Sequence, residues 1–493
     1  MARCIMVQGT MSGAGKSLLA TALCRIFRQD GLRVAPFKSQ NMALNSYITR
    51  DGLEMGRAQV AQAEAAGREP DVRMNPVLLK PSSDTGSQLI VNGEVRGQYR
   101  AAEYFKMKKS LVPEILRAYE SLAAENDVIV IEGAGSPAEI NLRDGDIVNM
   151  GLAELVNAPV LLVGDIDRGG VFAQLYGTVA LLQPEERARV VGTVINKFRG
   201  DVELLRPGLA MLEEKTGVPV LGVVPYTRAD IDDEDSLAPC LAQTQQRRPL
   251  DIAVVRLPRI SNFTDFSPLE SHPALGVRYV ERAGQLGEPD LVVLPGTKNT
   301  MGDLAWMRQN GLEAAVKKLA AAGTPVLGVC GGYQMLGTAL DDPDGVEQGG
   351  RMDGMGLLPC ATRFTGQKVR TRVQACAAAC PFAGAQLDGY EIHMGRTERG
   401  GTPPFCLLAD GTPEGAAAGN VFGTYLHGLF DTGELTEKLA AWLLACKGLS
   451  AADVRAESHA AYKERQYDLL ADAVRTAVDI AAVYRAMDAC AAK

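Results

Sequence analysis

A glycine-rich run near the N-terminus constrains this chain more than any other feature. Residues 9–17 read GTMSGAGKS, after an apolar stretch at 4–7 and before the helical run LLATALCRIF. Strand, glycine loop, lysine, hydroxyl and helix follow in the order that phosphate binding needs, because backbone N–H groups and the helix N-terminus both attract phosphate oxygens. Lys16 would neutralise the outer phosphates of a nucleotide, and the Ser17 hydroxyl would ligate magnesium. The predicted nucleotide-binding residues of the loop are Gly9, Thr10, Gly13, Gly15, Lys16 and Ser17.

Apolar runs of strand length alternate with helical stretches through the first half of the chain. They lie at 4–7, 33–37, 128–131, 160–163, 190–195 and 218–224. This alternation predicts a doubly wound parallel sheet covered by helices. A second α/β pattern begins at 252 and continues through runs at 291–294 and 325–329, and the last fifty or so residues are helical in pattern. We therefore predict a phosphate-loop domain at 1–235, a linker at 236–250, a second α/β domain at 251–440 and a C-terminal helical extension at 441–493.

Polar side chains follow the ends of several predicted strands of the first domain. Glu132 ends one buried run, at the sheet edge where open α/β folds bind ligands, and could hold magnesium with Ser17. A capping or turn carboxylate is the alternative for Glu132. Asn196 and Lys197 end another run and could recognise the adenine of a nucleotide. Asp165 follows a third run, and the sequence leaves open whether it serves metal or substrate.

A cysteine flanked by glycines marks the second domain. Residues 328–334 read GVCGGYQ, after the apolar run at 325–329 and before the helix start at Met335. Flanking glycines permit the sharp strand-to-helix turn that exposes a nucleophile, and the helix that follows favours a thiolate and offers backbone N–H groups to an oxyanion. Cys330 is therefore the candidate nucleophile. The alternative is a small core residue at a strand end.

A thiolate mechanism needs a base, and the chain has four histidines. His427, in GTYLHG, follows a strand-like run and is the strongest candidate, with His393 next. His272 and His459 have settings typical of structural residues. Gly296 ends a strand upstream, so its backbone N–H, with that of Gly331 after the cysteine, could form the oxyanion hole.

Composition limits the partners. The 493 residues are 46% hydrophobic and 22% charged, with a net charge of −8 and a pI near 5.3. An acidic chain with 5% aromatic residues is unsuited to nucleic acid or to an anionic membrane. Neither a signal peptide nor an apolar run of membrane-spanning length is evident, so we expect a cytoplasmic enzyme of small molecules. The 10 cysteines lack zinc or disulfide spacing.

Taken together, these motifs resemble a known pair of families. The second domain resembles the class I (triad) glutamine amidotransferases, with a flavodoxin-like fold, and the first resembles the dethiobiotin synthetase family of ATP-dependent enzymes. Their fusion is similar to the cobyric acid and cobyrinate diamide synthases of cobalamin biosynthesis. The stretches PFKSQNMALNS at 36–46 and NPVLLKP at 75–81 resemble the cobyric acid synthases in particular. One position departs from the triad enzymes, because Leu429 stands where they carry a glutamate. What orients His427 is left open: Glu391 and Asp431 are candidates, and a dyad of cysteine and histidine without a third residue is the alternative.

The resemblance implies a glutamine-hydrolysing carbon–nitrogen ligase. Glutamine would acylate Cys330 and release ammonia, ATP and Mg²⁺ would activate a carboxylate as an acyl phosphate, and ammonia would convert it to an amide. The substrate would be adenosylcobyrinic acid a,c-diamide, amidated at its b, d, e and g carboxylates. A basic patch of Lys38, Arg57, Arg73 and Lys80 is expected to receive this polyanionic corrinoid, and the alternative is that each is a solvated surface charge. The predicted substrate residues are Lys38, Gln40, Asn41, Asn45, Lys80 and Asp165.

Two rival functions remain open from the sequence. One is an enzyme of the same class that acts on the a and c carboxylates of cobyrinic acid. The other is a regulatory partition-type ATPase with an inactive amidotransferase domain. Proteins of that type carry a second lysine early in the phosphate loop, which Thr10, Met11 and Ser12 do not supply. The oligomeric state, the order of amidations and the path of ammonia do not follow from the sequence.

Overall fold

The computed structural model describes residues 2–81, 86–232, 248–450 and 457–491. The chain folds into two compact units. The first unit comprises Met1–Ala43, Glu54–Asp232 and Lys463–Lys493, and the second comprises Leu44–Leu53 and Asp233–Tyr462. Within the described ranges, no helix is both long enough and apolar enough to cross a membrane.

The strands are numbered along the described chain. They are β1 (Arg3–Gly9), β2 (Val34–Phe37), β3 (Gln40–Met42), β4 (Ser46–Ile48), β5 (Glu54–Gly56), β6 (Val77–Pro81), β7 (Gly86–Val91), β8 (Glu94–Arg100), β9 (Val128–Glu132), β10 (Val160–Asp165), β11 (Val190–Phe198), β12 (Val220–Pro225), β13 (Leu250–Val255), β14 (Leu275–Val280), β15 (Leu291–Leu294), β16 (Val326–Val329), β17 (Ala339–Asp342), β18 (Gly350–Asp353), β19 (Ala361–Ala377), β20 (Gln386–Glu398), β21 (Cys406–Leu408), β22 (Pro413–Glu414), β23 (Ala416–Ala418), β24 (Val421–Thr424) and β25 (Leu426–His427).

The α-helices are numbered in the same way. They are α1 (Lys16–Gln29), α2 (Arg57–Ala65), α3 (Ala101–Met107), α4 (Val112–Glu125), α5 (Met150–Leu155), α6 (Val171–Leu181), α7 (Pro184–Arg187), α8 (Val202–Thr216), α9 (Ser267–Ser271), α10 (Ala283–Leu286), α11 (Thr300–Gln309), α12 (Leu312–Ala321), α13 (Gly331–Leu336), α14 (Glu434–Cys446), α15 (His459–Ala477) and α16 (Ile480–Ala491).

A six-stranded parallel sheet forms the centre of the first unit. Its order is β12-β11-β10-β1-β9-β2, and each of the six predicted apolar runs overlaps one of these strands. The strand β1 lies in the middle of the sheet, so the glycine loop that follows it starts at the centre of the carboxyl edge. Fully buried residues such as Ile5, Val130 and Val163 on the strands pack against Leu23 and Phe27 of α1. The predicted doubly wound sheet is confirmed.

A smaller sheet of the first unit carries the stretches that resemble the cobyric acid synthases. Its order is β3-β6-β7-β8, with β3 parallel to β6 and the other pairs antiparallel. Residues 40–42 and 77–79 are paired in this sheet. The two stretches, separated in sequence, are therefore neighbours in space.

The C-terminal residues do not form one separate extension. Leu439 and Leu443 of α14 belong to the core of the second unit. By contrast, Leu470 and Val474 of α15 and Met487 of α16 join the core of the first unit beside α1. The predicted helical extension at 441–493 is thus divided between the two units, because each helix buries an apolar face against a different sheet. Most of the predicted linker, residues 236–247, lies outside the described residues, and its last position, Leu250, begins β13.

The second unit contains a second, mostly parallel sheet. Its order is β14-β13-β15-β16-β24-β23, and only the edge pair β23 and β24 is antiparallel. A further sheet, in the order β18-β17-β19-β20-β25, includes the long antiparallel pair β19 and β20. In the first of these sheets, β16 ends at Val329, directly before Cys330. In the other sheet, β25 ends at His427. Both predicted catalytic residues therefore lie at strand ends, as the sequence pattern indicated.

Candidate active site

Cys330 stands on a strained turn between β16 and α13. Its backbone has φ 51° and ψ −108°, a combination that costs a non-glycine residue roughly 1–3 kcal/mol. The turn is held because the backbone N–H of Cys330 donates to the carbonyl of Thr424 at 2.8 Å. Close packing also explains a neighbouring glycine, since a Cβ on Gly332 would lie 2.0 Å from the carbonyl oxygen of Leu294. The geometry is that of a nucleophile elbow.

His427 lies beside Cys330 and is fixed by a carboxylate that the sequence did not single out. Its Nδ1 lies 2.6 Å from Oδ2 of Asp265, while the other carboxylate oxygen accepts from the backbone N–H of Gly428 at 2.9 Å. Neither Glu391 nor Asp431, the two candidates from the sequence, occupies this position on Nδ1. Sequence patterns could not point to Asp265, because it is 162 positions before His427 in the chain and only the tertiary fold joins them.

The charge of His427 follows from its two neighbours. Burial alone would lower the pKa of the imidazole, but the carboxylate of Asp265 and the hydrogen-bonded side chain of Cys330 raise the pKa to about 10. At neutral pH the ring is therefore a cation. Nucleophilic cysteines in enzymes are commonly paired with a histidine that accepts and returns the proton. Asp265, His427 and Cys330 together form an acid–base–nucleophile arrangement.

The other three histidines have different environments. Burial lowers the pKa of His393 to about 4, and its ring is stacked on Tyr425 at 3.7 Å between centroids. Because of this lowered pKa the ring is neutral at pH 7, and its Nδ1 lies 2.7 Å from the carbonyl oxygen of Gly395. His272 is buried and its Nδ1 accepts from the backbone of Ala274, and His459 lies near Ser271. His427 is the histidine that the fold brings to Cys330.

The two predicted oxyanion-hole glycines border this arrangement. Gly331 is the first residue of α13, directly after Cys330. A Cβ on Gly296 would lie 3.1 Å from Cε1 of His427, and a Cβ on Gly331 would lie 3.1 Å from the backbone nitrogen of Thr297. The segment after β15 and the start of α13 are therefore adjacent to each other, and Gly296 lies beside His427. This adjacency brings backbone N–H groups from two elements to one place.

In the first unit, the glycine loop wraps the side chain of Lys16. The ammonium donates to the carbonyls of Met11 and Gly135, each at 3.0 Å. The hydroxyl of Ser17 donates to Oε1 of Glu132 at 2.8 Å. The loop thus holds its lysine and hydroxyl at the N-terminus of α1.

Glu132 is the centre of a buried polar cluster next to the loop. Besides Ser17, its carboxylate accepts from Nζ of Lys38 at 2.9 Å and from Nε2 of Gln62 at 2.5 Å. Burial would raise the pKa of Glu132, but the attraction of Lys38 and these hydrogen bonds hold the pKa below its ordinary value. The carboxylate is therefore ionised. Lys38, predicted to contact substrate, lies at the phosphate loop instead of in an open basic patch.

The oxygen atoms beside the phosphate loop are of the kind that bind a magnesium ion. Mg²⁺ is usually held by one or two protein oxygens together with phosphate oxygens and water. The Ser17 hydroxyl and the ionised Glu132 carboxylate, 2.8 Å apart, are such a pair. In the described part of the chain, no group of three or more histidine, cysteine, aspartate and glutamate residues forms a larger metal site.

Asn196 and Lys197 also meet the phosphate loop. The side-chain amide of Asn196 donates to the carbonyl of Ala14 at 3.1 Å. Nζ of Lys197 donates to the carbonyl of Gly13 at 2.7 Å and to Asp165 at 2.8 Å. Asp165, which the sequence could not assign, is thus the ion-pair partner of Lys197. Thr10 points to a different neighbour, Gln174, at 3.1 Å.

The remaining predicted substrate residues do not gather in one open patch. Gln40 accepts from Tyr104, and Asn41 donates to Gln59 at 2.9 Å. Asn45 belongs to the second unit. The predicted basic patch is also not confirmed, because each of its cations has a carboxylate partner. The pairs are Lys38 with Glu132, Arg57 with Asp232, Arg73 with Asp71 and Glu125, and Lys80 with Glu54.

Comparison with known proteins agrees with this division of sites. The CobQ/CobB/MinD/ParA nucleotide binding domain family matches residues 5–239, and the CobB/CobQ-like glutamine amidotransferase domain family matches residues 251–435. The cobyric acid synthase of Ruminiclostridium cellulolyticum is 57% identical over 501 residues, which cover 99% of this chain and 98% of that protein. The cobyric acid synthase of Klebsiella pneumoniae strain 342 is 53% identical over 502 residues, 99% of this chain and 98% of that protein. The chain belongs to the cobyric acid synthase family.

Proposed function

We propose that this protein amidates the b, d, e and g carboxylates of adenosylcobyrinic acid a,c-diamide, with glutamine as the nitrogen donor and ATP as the activating agent. The observations that carry the proposal are the strained turn at Cys330 and a His427 whose Nδ1 lies 2.6 Å from Oδ2 of Asp265 and whose pKa is raised in part by the side chain of Cys330. A regulatory ATPase with an inactive second domain would have no need for this costly backbone conformation.

Glutamine hydrolysis follows from the three side chains. The Cys330 thiolate attacks the amide carbon of glutamine, and the oxyanion that forms is stabilised by the backbone N–H groups of Gly296 and Gly331. The His427 imidazolium gives its proton to the departing nitrogen, which leaves as ammonia and a thioester remains. Neutral His427 then takes a proton from water, whose oxygen attacks the thioester and releases glutamate. Asp265 stabilises the imidazolium throughout and fixes the ring.

Amide formation takes place at the phosphate loop in this proposal. A substrate carboxylate attacks the γ-phosphorus of ATP, so that an acyl phosphate forms and ADP leaves. Lys16 and the N–H groups of the loop stabilise the charge on the transferring phosphoryl group. Ser17 and Glu132 would hold a magnesium ion, which neutralises phosphate charge when bound. Ammonia then displaces phosphate from the acyl carbon and the amide remains.

The nearest rival is a synthase that acts on the a and c carboxylates of cobyrinic acid. The identity of 57% and 53% to proteins named cobyric acid synthase, over nearly the whole chain, favours the b, d, e and g carboxylates. The test of substrate choice is to offer both corrinoids separately to the purified protein with ATP and glutamine. We expect four amides on the a,c-diamide. Amidation of cobyrinic acid alone would favour the rival.

Two variants separate the nitrogen-donating and carboxylate-activating sites. Cys330→Ala should lose amidation with glutamine and keep amidation with ammonium, because only the source of nitrogen is removed. Lys16→Ala should lose both. Cys446→Ala, which changes an exposed cysteine, is the matched control and should keep both. Loss of both activities in Cys330→Ala would contradict the assigned role of Cys330, and amide synthesis by Lys16→Ala would contradict that of the loop.

A further inference from the structure

Asp303 is a fully buried carboxylate of the second unit that takes no part in the chemistry of Cys330 and His427. It lies in the first turn of α11, and its side chain is 0% exposed. Burying a carboxylate is costly unless hydrogen bonds or an opposite charge compensate. Burial raises the pKa of Asp303, and hydrogen bonds from Thr297 and Arg259 oppose this effect. The contacts of Asp303 therefore indicate what the buried group holds.

Both carboxylate oxygens of Asp303 are bonded to segments outside α11. Oδ2 accepts from the hydroxyl of Thr297 at 2.5 Å and from the backbone N–H of Arg259 at 3.1 Å. Oδ1 accepts from Nη1 of Arg259 at 3.1 Å. Arg259 follows β13 and Thr297 follows β15, two strands that are paired in the parallel sheet. One side chain of α11 thus joins the segments after two neighbouring strands.

The two segments, 259–261 and 296–298, are also bonded to each other. The backbone N–H of Ser261 donates to the carbonyl of Gly296 at 2.9 Å, and that of Lys298 donates to the carbonyl of Arg259 at 3.1 Å. Ile260 and Thr297 are therefore paired as an antiparallel bridge outside the named strands. We call residues 259–261 and 296–298 the strand-end bridge. Asp303 fastens this bridge through both of its segments.

The strand-end bridge borders the catalytic residues. Gly296 is buried, and a Cβ on it would lie 3.1 Å from Cε1 of His427. A Cβ on Gly331, the residue after Cys330, would lie 2.7 Å from Cγ2 of Thr297. Within the described residues, the backbone N–H of Gly296 donates to no other group. A buried N–H without an acceptor is rare, and beside a nucleophile it is suited to bind an oxyanion.

We propose that Asp303 is a positioning residue for glutamine hydrolysis, whose carboxylate holds the strand-end bridge so that the backbone N–H of Gly296 faces the oxyanion formed at Cys330. This inference rests on the proposed function. Gly296 and Thr297 share a peptide group, so a rotation of that group would disturb the contact of 2.5 Å between Thr297 and Asp303. Oxyanion donors act because they are fixed before the charge develops. Loss of the anchor should therefore affect the transition state more than the binding of glutamine.

Two variants remove the anchor in different ways. Asp303→Asn keeps the size of the side chain but removes its charge, and Thr297→Val keeps the shape but removes the hydroxyl. Loss of one oxyanion donor lowers kcat by about 10²- to 10³-fold, so misplacement of a donor that is still present should cost less, about 10- to 100-fold. We expect this fall in the kcat of glutamate release, with the KM for glutamine within about two-fold of that of the unmodified protein.

Two reagents for Cys330 distinguish a positioning role from a general loss of structure. The γ-semialdehyde of glutamate adds to the thiolate: the S–C bond forms, the carbonyl π electrons move to oxygen and no group leaves, so an oxyanion must be stabilised. Iodoacetamide forms an S–C bond as iodide leaves, and its carbonyl is not attacked. In both variants the inhibition constant of the semialdehyde should rise by about 10- to 100-fold. The rate of alkylation at Cys330, measured on the isolated peptide, should stay within about two-fold.

Asp251→Asn is the matched control. Asp251 is another carboxylate of the second unit that is bonded to an arginine, with its oxygens 2.7 and 2.9 Å from Arg278. This pair contacts neither the strand-end bridge nor the catalytic residues in any printed bond of the described chain. The control should keep kcat and the inhibition constant of the semialdehyde within about two-fold.

The outcomes separate this inference from the proposed function. If the unmodified protein forms no amide from the a,c-diamide with either nitrogen source, the proposed function fails, whereas the semialdehyde still tests Asp303. Unchanged kcat and semialdehyde inhibition in Asp303→Asn and Thr297→Val would overturn the positioning role. An equal loss of semialdehyde binding and of alkylation by iodoacetamide would overturn it as well, because the whole site would then be disturbed.

Discussion

Asp265 and His427 are joined by a contact of 2.6 Å between Oδ2 and Nδ1, across 162 positions of sequence. The class I amidotransferases that this chain resembles take the corresponding carboxylate from two positions after the histidine, where Leu429 stands here and is fully buried. The carboxylate of this protein instead precedes the nucleophile in the chain. The chemical arrangement is kept although its acid comes from a different element, as occurs in unrelated hydrolases.

The first prediction concerns this carboxylate. Asp265→Asn preserves shape but removes the charge that stabilises the imidazolium, so kcat for glutamine hydrolysis should fall by about 10²- to 10⁴-fold. Ammonium-supported amidation should stay within about two-fold, because the phosphate loop is untouched. Asp431→Asn and Glu391→Gln alter the carboxylates that the sequence suggested, and each should retain far more glutaminase activity than Asp265→Asn.

The same variant should change the titration of the histidine. In the unmodified protein the pKa of His427 is raised to about 10, against the effect of burial and chiefly by Asp265. Without the charge of Asp265 the pKa should fall, since burial then acts with less opposition. With four histidines in the chain, isotope-labelled imidazole resonances can be assigned by single substitutions. An unchanged His427 titration in Asp265→Asn would contradict the assigned contact.

A second prediction concerns the tight packing of the elbow. A Cβ on Gly332 would lie 2.0 Å from the Leu294 carbonyl oxygen, so Gly332→Ala must displace backbone and should abolish glutamine hydrolysis. A Cβ on Gly284, in α10, would meet no heavy atom within 4 Å. Gly284→Ala is thus the matched control, with an expected gain in stability of up to about 1 kcal/mol. Glutamate release measures the glutaminase activity of both variants, and thermal unfolding measures their stability. Full glutaminase activity in Gly332→Ala would contradict the packing argument.

The sequence predicted the parts of each site that lie close together in the chain. The phosphate loop, the strand end at Glu132 and the elbow at Cys330 depend on strand, turn and helix patterns spanning about ten residues, and local patterns carry that information. His427 could be found because few histidines had to be considered. Asp265 lies in NFTDFS, a stretch without a motif, and its role arises from the packing of β25 beside the turn after β13.

Contacts between residues that are distant in the chain could not be predicted from local sequence patterns, for the same reason. Nothing in the composition of 44–53 distinguishes it from its flanks, yet it packs on Tyr390 of the second unit. The apolar spacing of α15 predicted a buried face but not the sheet that covers it. Periodicity shows that a face is apolar, whereas its partner is chosen by tertiary packing.

A third prediction concerns the pH dependence of stability. Burial raises the pKa of Glu347 from 4.5 to about 7, although its carboxylate accepts from the backbone N–H of Met301 at 3.0 Å. Because the folded-state pKa exceeds the unfolded one, the stabilising contribution is complete below pH 4.5 and is lost as the pH rises to about 7. A shift of this size corresponds to about 3 kcal/mol.

Glu347→Gln removes this pH dependence. The free energy of unfolding of the variant should equal that of the unmodified protein near pH 4, where the carboxyl group is protonated in both states. Above pH 7 the variant should be the more stable, by up to about 3 kcal/mol. Urea denaturation at the two pH values measures the difference. A constant difference between the two proteins at all pH values would contradict the raised pKa.

The last prediction concerns the C-terminal helices. Leu470 in α15 is 1% exposed and packs in the core of the first unit, whereas its neighbour Leu469 is 48% exposed. Leu470→Ala should destabilise the first unit by about 2–5 kcal/mol, and Leu469→Ala by less than about 0.5 kcal/mol, because only the first substitution leaves a cavity.

Calorimetry measures this difference. In Leu470→Ala the first unit should unfold at a lower temperature than in the unmodified protein, and ATP should raise that temperature again, because a ligand of the unit stabilises its folded form. Glutamate release from glutamine alone should persist at temperatures where amidation with ammonium is already lost. If both activities were lost together, or if the two leucine variants were equally stable, α15 would not be part of the core of the nucleotide-binding unit.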